Sequence, residues 1–188
     1  MIIANNAGSI LLALLSKNLL NDSVLLKNNS FKIKNFVIQH VKELDWCFCI
    51  LNKKKFKNPR LLDENYFMYF ETTDLCKKLE KNNSNMFVIK NLNFEHKGTS
   101  SSNKNYNHQI LYNRNWHFSW SKFYFFRKNY NYFYALKKVL PNIFQGIYGI
   151  FFSLIKVNLL EVSLHIASLS GFINSIFLNK SNFKIKLK

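Results

Sequence analysis

Acidic residues are the chain's most informative shortage: ten Asp and Glu face 27 Lys and Arg over 188 residues, a formal net charge of +17. With a sequence pI near 9.8, this imbalance points to a polyanionic partner, either nucleic acid or an anionic membrane surface. It also leaves acid–base catalysis poorly supplied, because the few carboxylates are scattered and no two form a recognisable motif. Cysteine is scarce too. Cys47, Cys49 and Cys76 follow no disulfide pattern, and no second Cys or Cys/His pair completes a zinc site around Cys47-x-Cys49. They are expected to be reduced core thiols. There are only five Gly and two Pro. Gly146-x-x-Gly149 lacks the further glycine and the strand–helix setting of a dinucleotide loop, so it reads as a turn. His40, His96, His108, His117 and His165 show no ligand spacing, and Ser153 has no Gly-x-Ser-x-Gly elbow. Nothing here argues for an enzyme, a cofactor, a metal site or a small-molecule substrate.

What is abundant has a simpler origin. The basic residues are 24 Lys and three Arg (Arg60, Arg114, Arg127), beside 27 Asn. Strong A+T coding bias enriches Lys, Asn, Phe, Tyr and Ile, and explains Lys over Arg, but it does not explain the shortage of acids. Met1–Asn6 carries no positive charge and does not read as a signal peptide, and the start is not an Arg-rich transit peptide. A basic, A+T-biased chain without a presequence suits a protein made inside an organelle.

The chain divides into three stretches. Residues 1–70 read as an α/β half in the order helix, strand, helix, strand, strand. Ile10–Leu20 form an apolar helical face, and Val24–Leu26 a short strand. Phe31, Ile33, Phe36, Val37, Val41 and Leu44 suggest a second helix N-capped by Ser30. Trp46–Leu51 and Tyr66–Phe70 are then two strands. Residues 71–115 hold polar tracts such as Lys97–Asn107 and read as an insertion or long loop, with one strand at Met86–Lys90. Residues 116–188 turn aromatic and basic, then apolar, and read as a mostly β half with a short helix. The expected fold class is therefore α+β in two small halves.

Basic and aromatic residues carry the binding chemistry. Lys32 and Lys34 beside Ser30 would grip phosphate at a helix start. Lys53, Lys54 and Lys55 form a second patch. Trp116, Trp120 and Phe123–Phe126, interleaved with Lys122, Arg127 and Lys128, have the composition of a base-stacking surface. For any one of these aromatics, a place in the core is the stronger expectation.

On these residues the chain resembles the universal small-subunit ribosomal protein eight family, a primary binder of the central domain of small-subunit rRNA. The family's Ser-Ser-Lys-Leu-Lys signature reads Ser30-Phe31-Lys32-Ile33-Lys34 here, and its Lys-Glu-Glu-Gly-Phe-Ile reads Lys42-Glu43-Leu44-Asp45-Trp46-Cys47. Its Ser-Thr-Ser-Lys-Gly rRNA loop falls on Ser153-Leu154-Ile155-Lys156-Val157, followed without a gap by Glu161, Ala167 and Ser170-Gly171. Its Arg-Ile-Tyr-Lys-Arg strand is similar to Tyr124–Lys128. Two loop hydroxyls are replaced by Leu154 and Ile155, and the family's Pro-Gly turn is absent.

The resemblance implies a non-enzymatic constituent of an organellar small ribosomal subunit, mitochondrial and organelle-encoded. Its partners would be small-subunit rRNA and neighbouring ribosomal proteins. Ser30, Lys32, Lys34, Lys53, Lys54, Lys55, Arg127, Lys128, Ser153 and Lys156 would contact RNA. Ser153 would end an apolar strand with its hydroxyl exposed, and Phe172–Leu178 would form the last strand. The competing reading is a basic accessory subunit of an inner-membrane complex, anchored through residues 143–178. Ile143–Ile155 is uncharged but shorter than the roughly twenty residues a spanning helix needs. The sequence therefore favours a buried strand and helix over a membrane segment.

Overall fold

The structure is a computed structural model that describes residues 2–3, 24–26, 30–33, 36–44, 49–50, 61–91 and 107–183. The chain forms two compact units, one from residues 1–62 and 72–98 and the other from residues 63–71 and 99–188.

In the first unit, β1 (Ile2–Ile3) pairs antiparallel with β5 (Cys49–Ile50). A four-stranded antiparallel sheet is built from β2 (Val24–Leu26), β3 (Ser30–Ile33), β4 (Phe36–Val41) and β6 (Met86–Ile89), in the order β2-β3-β4-β6. Ile38 faces Phe31 on one neighbour and Ile89 on the other. Asn91 extends the last ladder, its Oδ1 accepting the Val37 N–H at 2.9 Å. The expected second helix over Phe31–Glu43 is therefore a strand pair. Val37, Ile38 and Val41 are stiff at χ1 and suit a pleated surface. Partners on both sides satisfy β4's backbone and override the helical reading of the same apolar residues. The strands expected at Val24–Leu26 and Met86–Lys90 are present, and Ile10–Leu20 lies outside the described residues.

Helix α1 (Glu71–Lys81) leads into β6 and buries Asp74, Leu75, Cys76 and Leu79. It ends in a Schellman motif: Ser84 N–H bonds the Leu79 carbonyl at 2.9 Å and Asn83 N–H bonds that of Glu80 at 3.0 Å. Asn83 takes the left-handed position at φ 52°. The stretch read as an insertion thus adds Leu75, Leu79, Met86, Val88 and Ile89 to the unit's buried core. Cys76 is a buried thiol in no disulfide, its Sγ 3.9 Å from the Leu44 carbonyl oxygen.

The second unit is helical. Its elements are α2 (Asn107–Asn129), α3 (Tyr132–Ile155) and α4 (Leu159–Ile176). The mostly β C-terminal half is thus corrected: Tyr124–Lys128 lies within α2, and Phe172–Leu178 is the end of α4 and the turn after it. The reason lies in the spacing of the core. Trp116, Trp120 and Phe123 recur at i, i+4, i+7 and are buried, but aromatics on neighbouring faces hide that period in the sequence. On α3 the buried Val139, Gly146 and Ser153 repeat every seven residues, and on α4 Ala167, Gly171 and Ser175 repeat every four.

Asn131 caps α3 by accepting the Tyr134 N–H at 2.8 Å. Asn158 caps α4 by accepting the Glu161 N–H at 3.2 Å. Between α3 and α4 the chain reverses through a second Schellman motif. Asn158 N–H reaches the Ser153 carbonyl at 2.8 Å, and Val157 N–H that of Leu154 at 3.0 Å. Residues 143–178 are therefore neither a strand–turn–helix nor one rod, but the two arms of a helical hairpin.

Residues 63–70, expected to end in a strand at Tyr66–Phe70, are irregular instead. Tyr69 and Phe70 have φ of 66° and 64°, a conformation no strand can contain. The segment lies on α2, where Ser121 Oγ donates to the Met68 carbonyl at 2.7 Å and Arg114 Nε to Tyr69 Oη at 2.7 Å.

Candidate membrane-facing surface

The α3–α4 hairpin is held by side chains small enough to let the helices approach. A Cβ built at Gly146 would lie 2.9 Å from Leu169 Cδ2, one built at Gly149 would strike the His165 imidazole, and one at Gly171 would strike the Trp116 carbonyl oxygen on α2. Ser153 Oγ donates to Glu161 Oε2 at 3.1 Å, tying down the hairpin's one carboxylate. Seams of small residues of this kind are characteristic of helices that pack without a hydrophobic driving force between them. In the sequence the signal was Gly146-x-x-Gly149, which lies inside α3 and is not a turn.

The outward side of the hairpin is apolar and open. Phe144, Tyr148 and Phe151 on α3 are each more than 60 % exposed, and with Ile147 and Gln145 they line a shallow groove of about 650 Å³. On α4, Leu159, Ile166 and Ile173 repeat every seven residues and are likewise exposed, as are Val157 in the turn and Phe177 beyond the helix. Both helices are long and apolar enough to cross a membrane, yet only 17% of the most apolar stretch of α3 and 22% of that of α4 are buried. A core helix of a water-soluble bundle would have the opposite ratio. No Asp, Glu, Lys or Arg occurs from Val139 to Ile155 or from Val162 to Asn179. Lys137, Lys138, Lys156 and Lys180 stand just outside these stretches, exposed.

In the helical unit, α2 and the segment against it join charged groups in one network. Lys128 Nζ lies 2.7 Å from Asp63 Oδ2, Tyr124 Oη donates to the same oxygen at 2.9 Å, and the Arg127 guanidinium lies 5.2 Å from the centre of the Tyr124 ring. Partial burial opposes ionisation of Asp63. The hydrogen bonds from Lys128, the Asn65 backbone, Tyr124 and the Asn65 side chain outweigh it and pull the carboxyl down to about 2. Burial raises the Tyr124 hydroxyl, and its bond to Asp63 adds to the effect. Lys122, which donates to Asn142 Oδ1 at 2.9 Å, is lowered by burial. Because Asp63 is depressed in the fold, its contribution is complete above the unfolded carboxyl pKa of about 3.9. It is lost as the pH falls toward 2. Acid titration followed by chemical denaturation should show about 1 kcal/mol lost across that window on account of Asp63, and Asp63→Asn should remove that share of the pH dependence. An unchanged slope in that variant would take Asp63 out of the network.

The structure scatters the residues expected to bind RNA. Ser30 and Lys32 lie in β3 and not at a helix start, because that stretch is a strand. Lys34 and Lys53, Lys54 and Lys55 lie outside the described residues. Arg127 and Lys128 end α2, engaged with Tyr124 and Asp63. Ser153 and Lys156 come together at the end of α3, but Ser153 is buried and bonded to Glu161, so its hydroxyl is not presented outward as expected, while Lys156 is exposed. Trp116, Trp120, Phe123 and Phe125 are core residues. Trp116 stacks on Phe183 with ring centres 5.0 Å apart, and Trp120 on Tyr124 at the same separation. A scan of family models finds no match to this chain, and neither do searches of curated proteins and of solved structures.

Proposed function

We propose that the chain is a basic accessory subunit of an organellar inner-membrane complex, attached to the bilayer through the α3–α4 hairpin. The observation that carries this reading is the exposed apolar side of two helices whose stretches Val139–Ile155 and Val162–Asn179 hold no Asp, Glu, Lys or Arg and are bracketed by lysines. Burying a Phe or Leu side chain fully is worth about 1.5–3 kcal/mol. Covering residues already half exposed returns about 1 kcal/mol each, and roughly another 1 kcal/mol comes from each lysine near an anionic surface. Together these exceed what a single acyl anchor supplies.

Flotation with liposomes containing anionic lipid tests the proposal. The wild-type chain should float, and Phe144→Glu with Phe151→Glu should lower the bound fraction at least tenfold. Because both side chains are exposed, helix content by circular dichroism should not change. Undiminished binding by the double variant would remove the hairpin from the contact.

The charge of +17 with ten acids favours a second reading, attachment to small-subunit rRNA in an organellar ribosome, with lysines neutralising phosphates. The two readings part on extraction. A ribosomal protein leaves membranes in high salt and follows the small subunit through a gradient, whereas the hairpin requires detergent.

A further inference from the structure

Resting on the membrane reading above, we infer that the hairpin lies in the plane of one leaflet, its lysines on anionic headgroups, and does not cross the bilayer. The constraint comes from α2. It is fastened alongside α4 by side-chain hydrogen bonds spread over most of α4's length: His108 to Ser163 at 2.7 Å, Trp116 to Ser170 at 3.2 Å, and Trp120 to the Asn179 carbonyl, just past the helix, at 2.9 Å. A hairpin crossing the bilayer would carry α2 into the hydrocarbon beside it. With α2 would go Arg114, bonded to Tyr69, and Lys122, bonded to Asn142 within the uncharged part of α3. Ionised groups at that depth are costly unless they face a protein interior or a water-filled cavity. Laid flat, the same unit is an amphipathic layer. Phe144, Tyr148, Phe151 and Ile166 meet acyl chains, while Arg114, Asp63 and Lys128 remain in water. Lys137 and Lys138 at the start of α3 and Lys156 at its end then lie at headgroup level. The excess of positive charge selects an anionic surface.

The unmodified chain, added to sealed liposomes of phosphatidylcholine with phosphatidylglycerol, tests this without substitution. A membrane-impermeant amine-reactive ester is supplied outside, and modified lysines are located by peptide mass. Lys156 at the hairpin tip and Lys180 at its open end should be modified to within about threefold of each other, and detergent should not raise the ratio. Protection of Lys156 until detergent is added would overturn the in-plane arrangement while leaving membrane attachment intact. Failure to float would overturn both. Binding to pure phosphatidylcholine should be at least tenfold weaker, and equal binding would overturn the anionic headgroup contact.

Discussion

Phe123→Ala is expected to destabilise the helical unit by about 3–5 kcal/mol, enough to unfold it near room temperature if the unit has ordinary small-domain stability. Phe123 is completely buried and packs against Ala135, Val139 and Phe172, with Phe126, Leu136, Ile143 and Ile176 around them. It touches both arms of the hairpin from α2, so truncation leaves a cavity that neither arm can fill without breaking the seam. Urea denaturation followed by the fluorescence of Trp116 and Trp120 would measure the loss. Phe151→Ala is the internal control, because that side chain is 61 % exposed. Its substitution should change stability by no more than about 0.5 kcal/mol. Equal losses in the two variants would mean that Phe151 is covered and that the open surface described for α3 is wrong.

Gly171→Val should be nearly as damaging, about 3 kcal/mol, for the opposite physical reason. Here nothing is removed. Atoms are added where the Trp116 carbonyl oxygen and Ser119 Cβ already stand. The obstruction is the backbone of α2, which moves only if the whole helix does, and that shift would pull Trp116 away from Ser170 and Trp120 away from Asn179. Gly146→Ala provides the comparison. Its new Cβ meets the tip of Leu169, a flexible side chain that turns aside, so the loss should stay near 1 kcal/mol. Thermal unfolding of the two variants should rank them clearly. Gly146→Ala falling as far as Gly171→Val would show that the α3–α4 seam, and not α2, sets the tight contact.

The sequence was legible wherever a single period ran undisturbed. Val24–Leu26 and Met86–Ile89 are short apolar runs between turn residues, and both are strands. Phe31–Glu43 failed because its apolar residues fit either period, and tertiary pairing decided between them. Trp116–Tyr134 failed because aromatics occupy almost every face, which erases the periodicity that separates helix from strand. Ala167 and Gly171 are informative in another way. Their spacing supported a family resemblance whose strands before and after them the structure does not contain, yet the seam against α2 demands small residues at Gly171 and Ala167 on its own account. Of the candidate surface, the uncharged stretch Ile143–Ile155 was visible. The openness of that stretch was not, since an apolar run reads the same whether it faces a core or a bilayer.

The helix ends show where the chain keeps its glycines. Schellman turns close α1, α3 and α4 with Asn83, Val157 and Leu178 in the left-handed position, where glycine is the usual occupant. Meanwhile Gly146, Gly149 and Gly171 all sit inside helices. Glycine codons begin with two guanines, so drift toward A+T erodes them steadily. Asn83, Val157 and Leu178 show that these left-handed positions accept a side chain at some strain. Glycine stands instead where a Cβ would meet Leu169, His165 or the Trp116 carbonyl. Among the described residues, each glycine marks a point where two helices touch.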